Sequence, residues 1–213
     1  MSPRTPEQFE EMREEKKEII LNTALKLFAD KGYHATSISA IAKEAGISKG
    51  LMYNYFESKE SLLIKLYESY LEMFMEMINP NHDDEISNEE MEHFLKAMVD
   101  SMGTDSEYWK LYIQMSLQKG VLQVIDEKIE ATEMIKNQLA LIYKYFAERF
   151  ENPTHEMLFF SSILKGFSVQ YVYAPEYFPQ QEIDIFIDRV KRMFIVDKKG
   201  PAKPGRTSAK IVL

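Results

Sequence analysis

Residues 36–63 read TSISAIAKEAGISKGLMYNYFESKESLL, and the architecture follows from how this stretch divides. Thr36 or Ser37 can cap a helix whose apolar face is Ile38, Ile41, Ala42 and Ala45. Gly46 supplies a permissive turn, Ser48 can cap the next short helix, and Ser58 can open the one after it. Upstream, Ile20, Ala24, Leu27 and Phe28 recur at helical spacing from about Arg13 to Lys31, where Gly32 is placed to stop the run. Three short helices with a glycine in the second connection are the outline of a helix-turn-helix.

On a wheel of about 100° per residue, Met52 and Phe56 share one edge of the third helix. Gly50, Leu51 and Asn54 fall on the opposite side, with Tyr53 and Tyr55 flanking that outward face. A helix anchored by one edge and carrying a narrow polar ridge suits a DNA major groove, whose floor shows base edges between two rims of phosphate. Gly50 lets backbone approach the floor, and the two phenols reach toward the rims. Ser48 and the free N–H groups beside it suit a phosphate. Lys59 adds a cation, and Thr36 and Ser37 add hydroxyls from the preceding helix. Most of these groups would position the protein rather than read sequence. The plain alternative is a set of surface tyrosines on a small helical bundle.

The rest of the chain agrees with an all-α protein. Its 213 residues are 45% hydrophobic and 28% charged, enough for a sizeable core, with only eight Gly and eight Pro. Cysteine is absent, which excludes disulfides and thiolate chemistry and fits the cytoplasm. No apolar run approaches the roughly 18 residues of a membrane span, and the start lacks the apolar core of a signal peptide. The net charge of −8 is unevenly spread: residues 1–65 balance, residues 66–196 carry −12, and the tail from Asp197 carries +4. Contact with nucleic acid must therefore come from a local surface.

The segment quoted above closely resembles the DNA-binding part of the TetR family of bacterial transcriptional regulators, over roughly residues 17–67. The resemblance implies a brace helix over about Ile38–Ala45 and a recognition helix from about Lys49 to Tyr55. It places Ser48, Tyr53, Asn54, Tyr55 and Lys59 toward phosphates, and Lys49, Gly50, Leu51 and Tyr53 toward base edges. Leu51 departs from the more usual Thr or Ser and would favour apolar contact, for instance with a thymine methyl.

A homodimer on double-stranded operator DNA is implied too, with recognition helices in major grooves about one helical turn apart. The last two long helices would build it. Residues 158–173, LFFSSILKGFSVQYVY, are apolar on nearly every side, and Ile183, Phe186, Ile187, Val190 and Phe194 supply a matching stripe. Phe160, Leu164, Phe186 and Val190 are the interface candidates; the alternative is core packing within one chain. A pocket for a small, lipophilic effector is implied among residues 65–175. Its candidates are Trp109, Tyr112, Met115, Tyr143, Phe167 and Tyr171, with Tyr108 beside them and Gln114 or Gln138 as polar handles. Here as well, aromatic and methionine stripes serve equally as core.

The expected organisation is a flexible arm (1–12), a three-helix DNA-binding domain (13–62), a helical ligand-binding and dimerisation domain (63–197) and a disordered basic tail (198–213). About nine helices are expected, including a single long one over 121–150 with Ile125, Ile129, Thr132, Ile135, Leu139, Ile142 and Phe146 near a seven-residue period. His34, His82, His93 and His155 are scattered, and no nucleotide-binding or nucleophile motif is present, so neither metal, cofactor nor enzymatic activity is expected. The expected function is a ligand-released transcriptional repressor. A helical protein-interaction module, or a small-molecule enzyme on the same bundle, are the alternatives.

Overall fold

The computed structural model describes residues 5–129 and 133–199. These form ten α-helices and one 3-10 turn, and no strand occurs among the described residues. None of these helices is long and apolar enough to cross a membrane. Contacts divide the described residues into two compact units, one up to Ser69 together with Leu111–Glu127, the other Tyr70–Lys110 with the residues from Lys128 onward.

The first unit opens with α1 (Pro6–Lys31), which starts well before Arg13. The arm expected over residues 1–12 is thus helical from Pro6, because Thr5 and Gln8 form a reciprocal capping box and Pro6 sits at the first position. Gly32, at φ 90°, ends the helix. Ile20, Ala24, Leu27 and Phe28 are buried, as their spacing requires. Helix α2 (Ile38–Glu44) packs on α1, and α3 (Lys49–Tyr53) packs on α2. Ser37 and Ser48 cap them, each hydroxyl accepting from a backbone N–H three residues on. Gly46, at φ 68°, makes the turn between them. Helix α4 (Lys59–Ile78) begins where Ser58 and Ser61 cap each other, and it buries Leu62, Leu63, Leu66 and Tyr67.

Next come α5 (Asn88–Thr104), α6 (Ser106–Ser116), α7 (Lys119–Ile129), α8 (Glu133–Ala147), α9 (Pro153–Tyr173) and α10 (Gln180–Phe194). The helix expected over 121–150 corresponds to α7 and α8 among the described residues; the residues between them, Thr132 included, lie outside the described residues. In the second unit α9 packs against α5 and α8, and α10 against α5 and α9. Its core is aromatic: the rings of Phe146, Phe160 and Phe194 lie within 5.0–6.3 Å of one another. A buried polar knot sits beside them. The Arg149 guanidinium lies 3.8 Å over the Tyr145 ring and donates to Asn88 Oδ1 (3.1 Å) and the Tyr145 carbonyl (3.0 Å). The Tyr145 hydroxyl reaches the Phe194 carbonyl at 3.1 Å and Asn88 Oδ1 at 3.2 Å.

The tail expected to be disordered from residue 198 is held at its start. Lys198 pairs with Glu85 and Glu148, and the Lys199 N–H donates to the Glu148 carbonyl at 2.8 Å. Residues 200–213 lie outside the described residues.

Candidate nucleic-acid interface

Met52 is completely buried and Phe56 nearly so, and together they fix the short α3 on its apolar edge. The opposite side is open: Lys49, Gly50, Leu51, Tyr53 and Asn54 are all exposed, Leu51 by 40% and Tyr53 by 47%. The Lys49 ammonium stands 6.0 Å from the Tyr53 ring centre. Ser37 and Ser48 are exposed at the two caps.

Three expectations change. The recognition helix ends at Tyr53, not Tyr55, because Asn54 caps it and the Tyr55 and Phe56 N–H groups both fold back onto the Met52 carbonyl at 3.0 Å. Half-buried Tyr55 therefore stands beyond the helix rather than on its second shoulder. Thr36 is buried, its hydroxyl within reach of the Leu27 (3.1 Å) and Gly32 (2.9 Å) carbonyls, so it is turned inward rather than toward phosphate. Lys59 is engaged as well. Its ammonium donates to the Tyr33 (2.9 Å) and Thr36 (3.0 Å) carbonyls and more weakly to His34 (3.5 Å), above the Tyr33 ring. It staples the start of α4 to the α1–α2 turn instead of offering a free cation.

That turn also meets residues that sequence reasoning missed. Gln118, between α6 and α7, accepts from the Tyr33 N–H at 2.7 Å and donates to the Phe28 carbonyl at 2.6 Å. Gly120, in the first turn of α7, leaves room for the His34 ring, since a Cβ there would fall inside contact distance of His34 Nε2. The glycine directly after a helix break was the one available sign of a close approach. Buried Tyr33 has its hydroxyl pKa pushed up to about 12, first by burial and then by the Glu60 carboxylate.

Residues 20–66 match the sequence profile described as "Bacterial regulatory proteins, tetR family". The HTH-type transcriptional regulator YerO of Bacillus subtilis, itself uncharacterized, is 33% identical over 144 residues, 64% of this chain and 50% of that protein. Residues 20–66 carry a TetR-family DNA-binding segment.

A second relative is the HTH-type regulator IcaR of Staphylococcus epidermidis, described as a negative transcriptional regulator of the biofilm operon icaADBC. It is 33% identical over 100 residues, 47% of this chain and 53% of that protein. The chain thus spans about half the length of these two curated relatives. The fold is shared with NalD of Pseudomonas aeruginosa, the secondary repressor of the MexAB-OprM multidrug efflux pump. The TM-score is 0.63 at 19% identity, over 88% of this chain and 99% of that one.

Other sites expected of a TetR-family protein lie as follows. Tyr112 and Met115 are buried in the first unit. In the second, buried Trp109 donates its indole N–H to Ser101 Oγ (3.1 Å) and meets the Tyr70 ring edge-on. Phe167 stacks against both Tyr171 (5.5 Å) and Phe186 (3.8 Å). Tyr143 is half-buried. Of the six pocket candidates, Tyr171 alone lines the cleft of about 610 Å³ between α5 and α10.

The interface candidates need correction. Phe160, Leu164 and Val190 are buried, and Phe186 is half-buried on Phe167, so all four serve the chain's own core. Among the outward residues of α9 are Phe159, Ser162, Gly166, Val169 and Tyr173, with Leu158, Lys165 and Gln170 exposed beside them.

Proposed function

We propose that this chain is a dimeric, DNA-binding transcriptional repressor that a small-molecule effector releases from its operator. The observation that carries the reading is the two-faced α3, with Met52 buried beneath and Lys49, Gly50, Leu51, Tyr53 and Asn54 exposed above. A helix so anchored fits one major groove, with Leu51 and Lys49 toward base edges and Tyr53, Asn54, Ser37 and Ser48 toward phosphate. The domain covering residues 13–62 would contact DNA, and residues 63–197 would carry dimerisation and ligand binding. The named roles of IcaR and NalD support repression rather than catalysis. The place of action is the cytoplasm, where the operator is.

Dimerisation is supported by the seam on α9. Phe159, Ser162, Gly166, Val169 and Tyr173 recur at alternating steps of three and four, the spacing of a helix that packs lengthwise against another. Exposed Ile185 and Met193 on α10 extend the apolar surface.

Selection of bound sequences from random DNA tests the function. The expected product is an inverted repeat whose binding weakens steeply with salt. Absence of any sequence preference at every salt concentration overturns the reading and favours a protein-interaction module.

A further inference from the structure

Helices α5 and α10 run antiparallel. Asn88, opening α5, donates to the Val196 carbonyl just past α10 (3.3 Å), and Glu92 pairs with Lys191 one turn along (2.8 Å). Continuing that register brings Lys96 level with Asp188, and Asp100 level with Asp184. The cleft of about 610 Å³ lies between the two helices, a size typical of small-molecule sites. Val99, Ile183 and Ile187 are its buried apolar floor. Gly103 leaves space for the Tyr171 hydroxyl at one end, since a Cβ there would stand 3.3 Å from it.

The polar groups on this cleft are unevenly satisfied. Asp188 pairs with Arg192 (2.7 Å), Lys191 with Glu92, and Asp184 accepts from the Gln180 amide (2.9 Å). The Lys96 ammonium, the Asp100 carboxylate and the Tyr171 hydroxyl have no hydrogen-bond or ion-pair partner among the described residues. Lys96 and Asp100 stand one turn apart on α5, close enough to meet, in the less favourable order with the base first. Each instead presents an unmatched charge to the same cleft.

We infer that the cleft binds a small zwitterion with an apolar body, a molecule of the amino-acid kind. Its ammonium sits between Asp100 and Asp184, its carboxylate meets Lys96, and its apolar part covers Val99, Ile183 and Ile187. A simple amine would leave Lys96 unmatched, and a simple carboxylate would face two aspartates. The site stays clear of the α9–α10 seam, because Ile185 and Met193 lie about 100–180° round α10 from Asp184. Naming this ligand the effector rests on the repressor reading, but its binding is measured without DNA. A failed titration and a failed operator selection are therefore separate results.

The test is isothermal titration of the full chain with leucine, phenylalanine and tryptophan, and with isoamylamine and isocaproate as leucine analogues lacking one charge each. At least one amino acid is expected to bind once per chain, and each single-charge analogue to bind at least about tenfold more weakly than leucine if leucine is that ligand. Lys96→Met and Asp100→Asn are each expected to weaken amino-acid binding by at least about tenfold while leaving the melting temperature unchanged, because both side chains are exposed. The inference is overturned if none of the three amino acids binds, if an analogue matches leucine, or if both variants bind as wild type does.

Discussion

Gln118 holds the end of α1 in place: its amide donates to the Phe28 carbonyl at 2.6 Å while its oxygen accepts from the Tyr33 N–H at 2.7 Å. Phe28 is in the last turn of α1 and Tyr33 follows Gly32, so one side chain satisfies backbone groups on both sides of the helix stop. Gln118→Ala leaves both groups without this partner and is expected to cost about 1–3 kcal/mol. Gln118→Glu should be at least as damaging, because a carboxylate cannot donate to the Phe28 carbonyl. Urea unfolding of the two variants checks the order.

Gly120 and His34 make a second contact at the same turn. Alanine in a helix is ordinarily favoured over glycine by about 1 kcal/mol. Gly120→Ala is expected to be destabilising here, because the new methyl displaces the imidazole, and to become stabilising in a His34→Ala background. A double-mutant cycle should give a coupling of about 1–2 kcal/mol. Additive effects would mean that the ring turns aside freely.

Lys49 and Leu51 should both mark base reading in DNA binding. Lys49→Ala is expected to weaken binding by about 1–3 kcal/mol and relax the preference at one position per half-site; a uniform loss across sequences with the salt slope lower by about one per copy would move its ammonium to phosphate. Leu51→Thr should instead change the preferred base at one position per half-site, worth about 1–3 kcal/mol, and leave the salt slope alone. Selection from random DNA with each variant distinguishes the two.

How much of this was legible in sequence depends on the range of each contact. The apolar faces of α1 and α3, and the caps at Ser37 and Ser48, follow from neighbours within a turn. Thr36 and Lys59 looked like surface groups because their carbonyl partners are placed by the folded turn, 23 to 26 residues away in the case of Lys59. Gln118 acts on groups 85 and 90 residues distant, which no periodicity reports. Helix α9 failed differently. Being apolar all round, its sequence cannot set the phase that buries Phe160 and exposes Phe159.

Gly166 gives a handle on the seam. A Cβ there meets nothing within 4 Å, so Gly166→Leu should not weaken the folded monomer. Placed at the middle of the α9 stripe, it should keep two chains apart and shift sedimentation toward the monomer at concentrations where wild type is dimeric. An unchanged dimer would move the interface elsewhere.

Alkaline stability should expose Tyr145. Burial pushes its hydroxyl from the ordinary 10.0 up to about 12, partly offset by Arg149. A folded pKa above the unfolded one gives stability that is complete below about pH 10 and lost as pH rises toward 12. Tyr145→Phe should cost about 1 kcal/mol at neutral pH through its lost hydrogen bonds, then flatten this alkaline decline. Unfolding measured across that pH range gives the slope.

The capped start of α1 has a consequence for amide exchange. From Pro6 to Ile19 no residue is buried, and Phe9, Met12 and Ile19 are exposed; burial begins at Ile20. The first half of the helix is held by its capping box and the Glu14–Lys17 pair, terms that sustain an isolated helix of this length only marginally. Deuterium should therefore enter α1 in two regimes: amides before Ile20 at close to the rate of a free peptide, and those beyond it only when the surrounding core opens. One unbroken helix would carry two clocks.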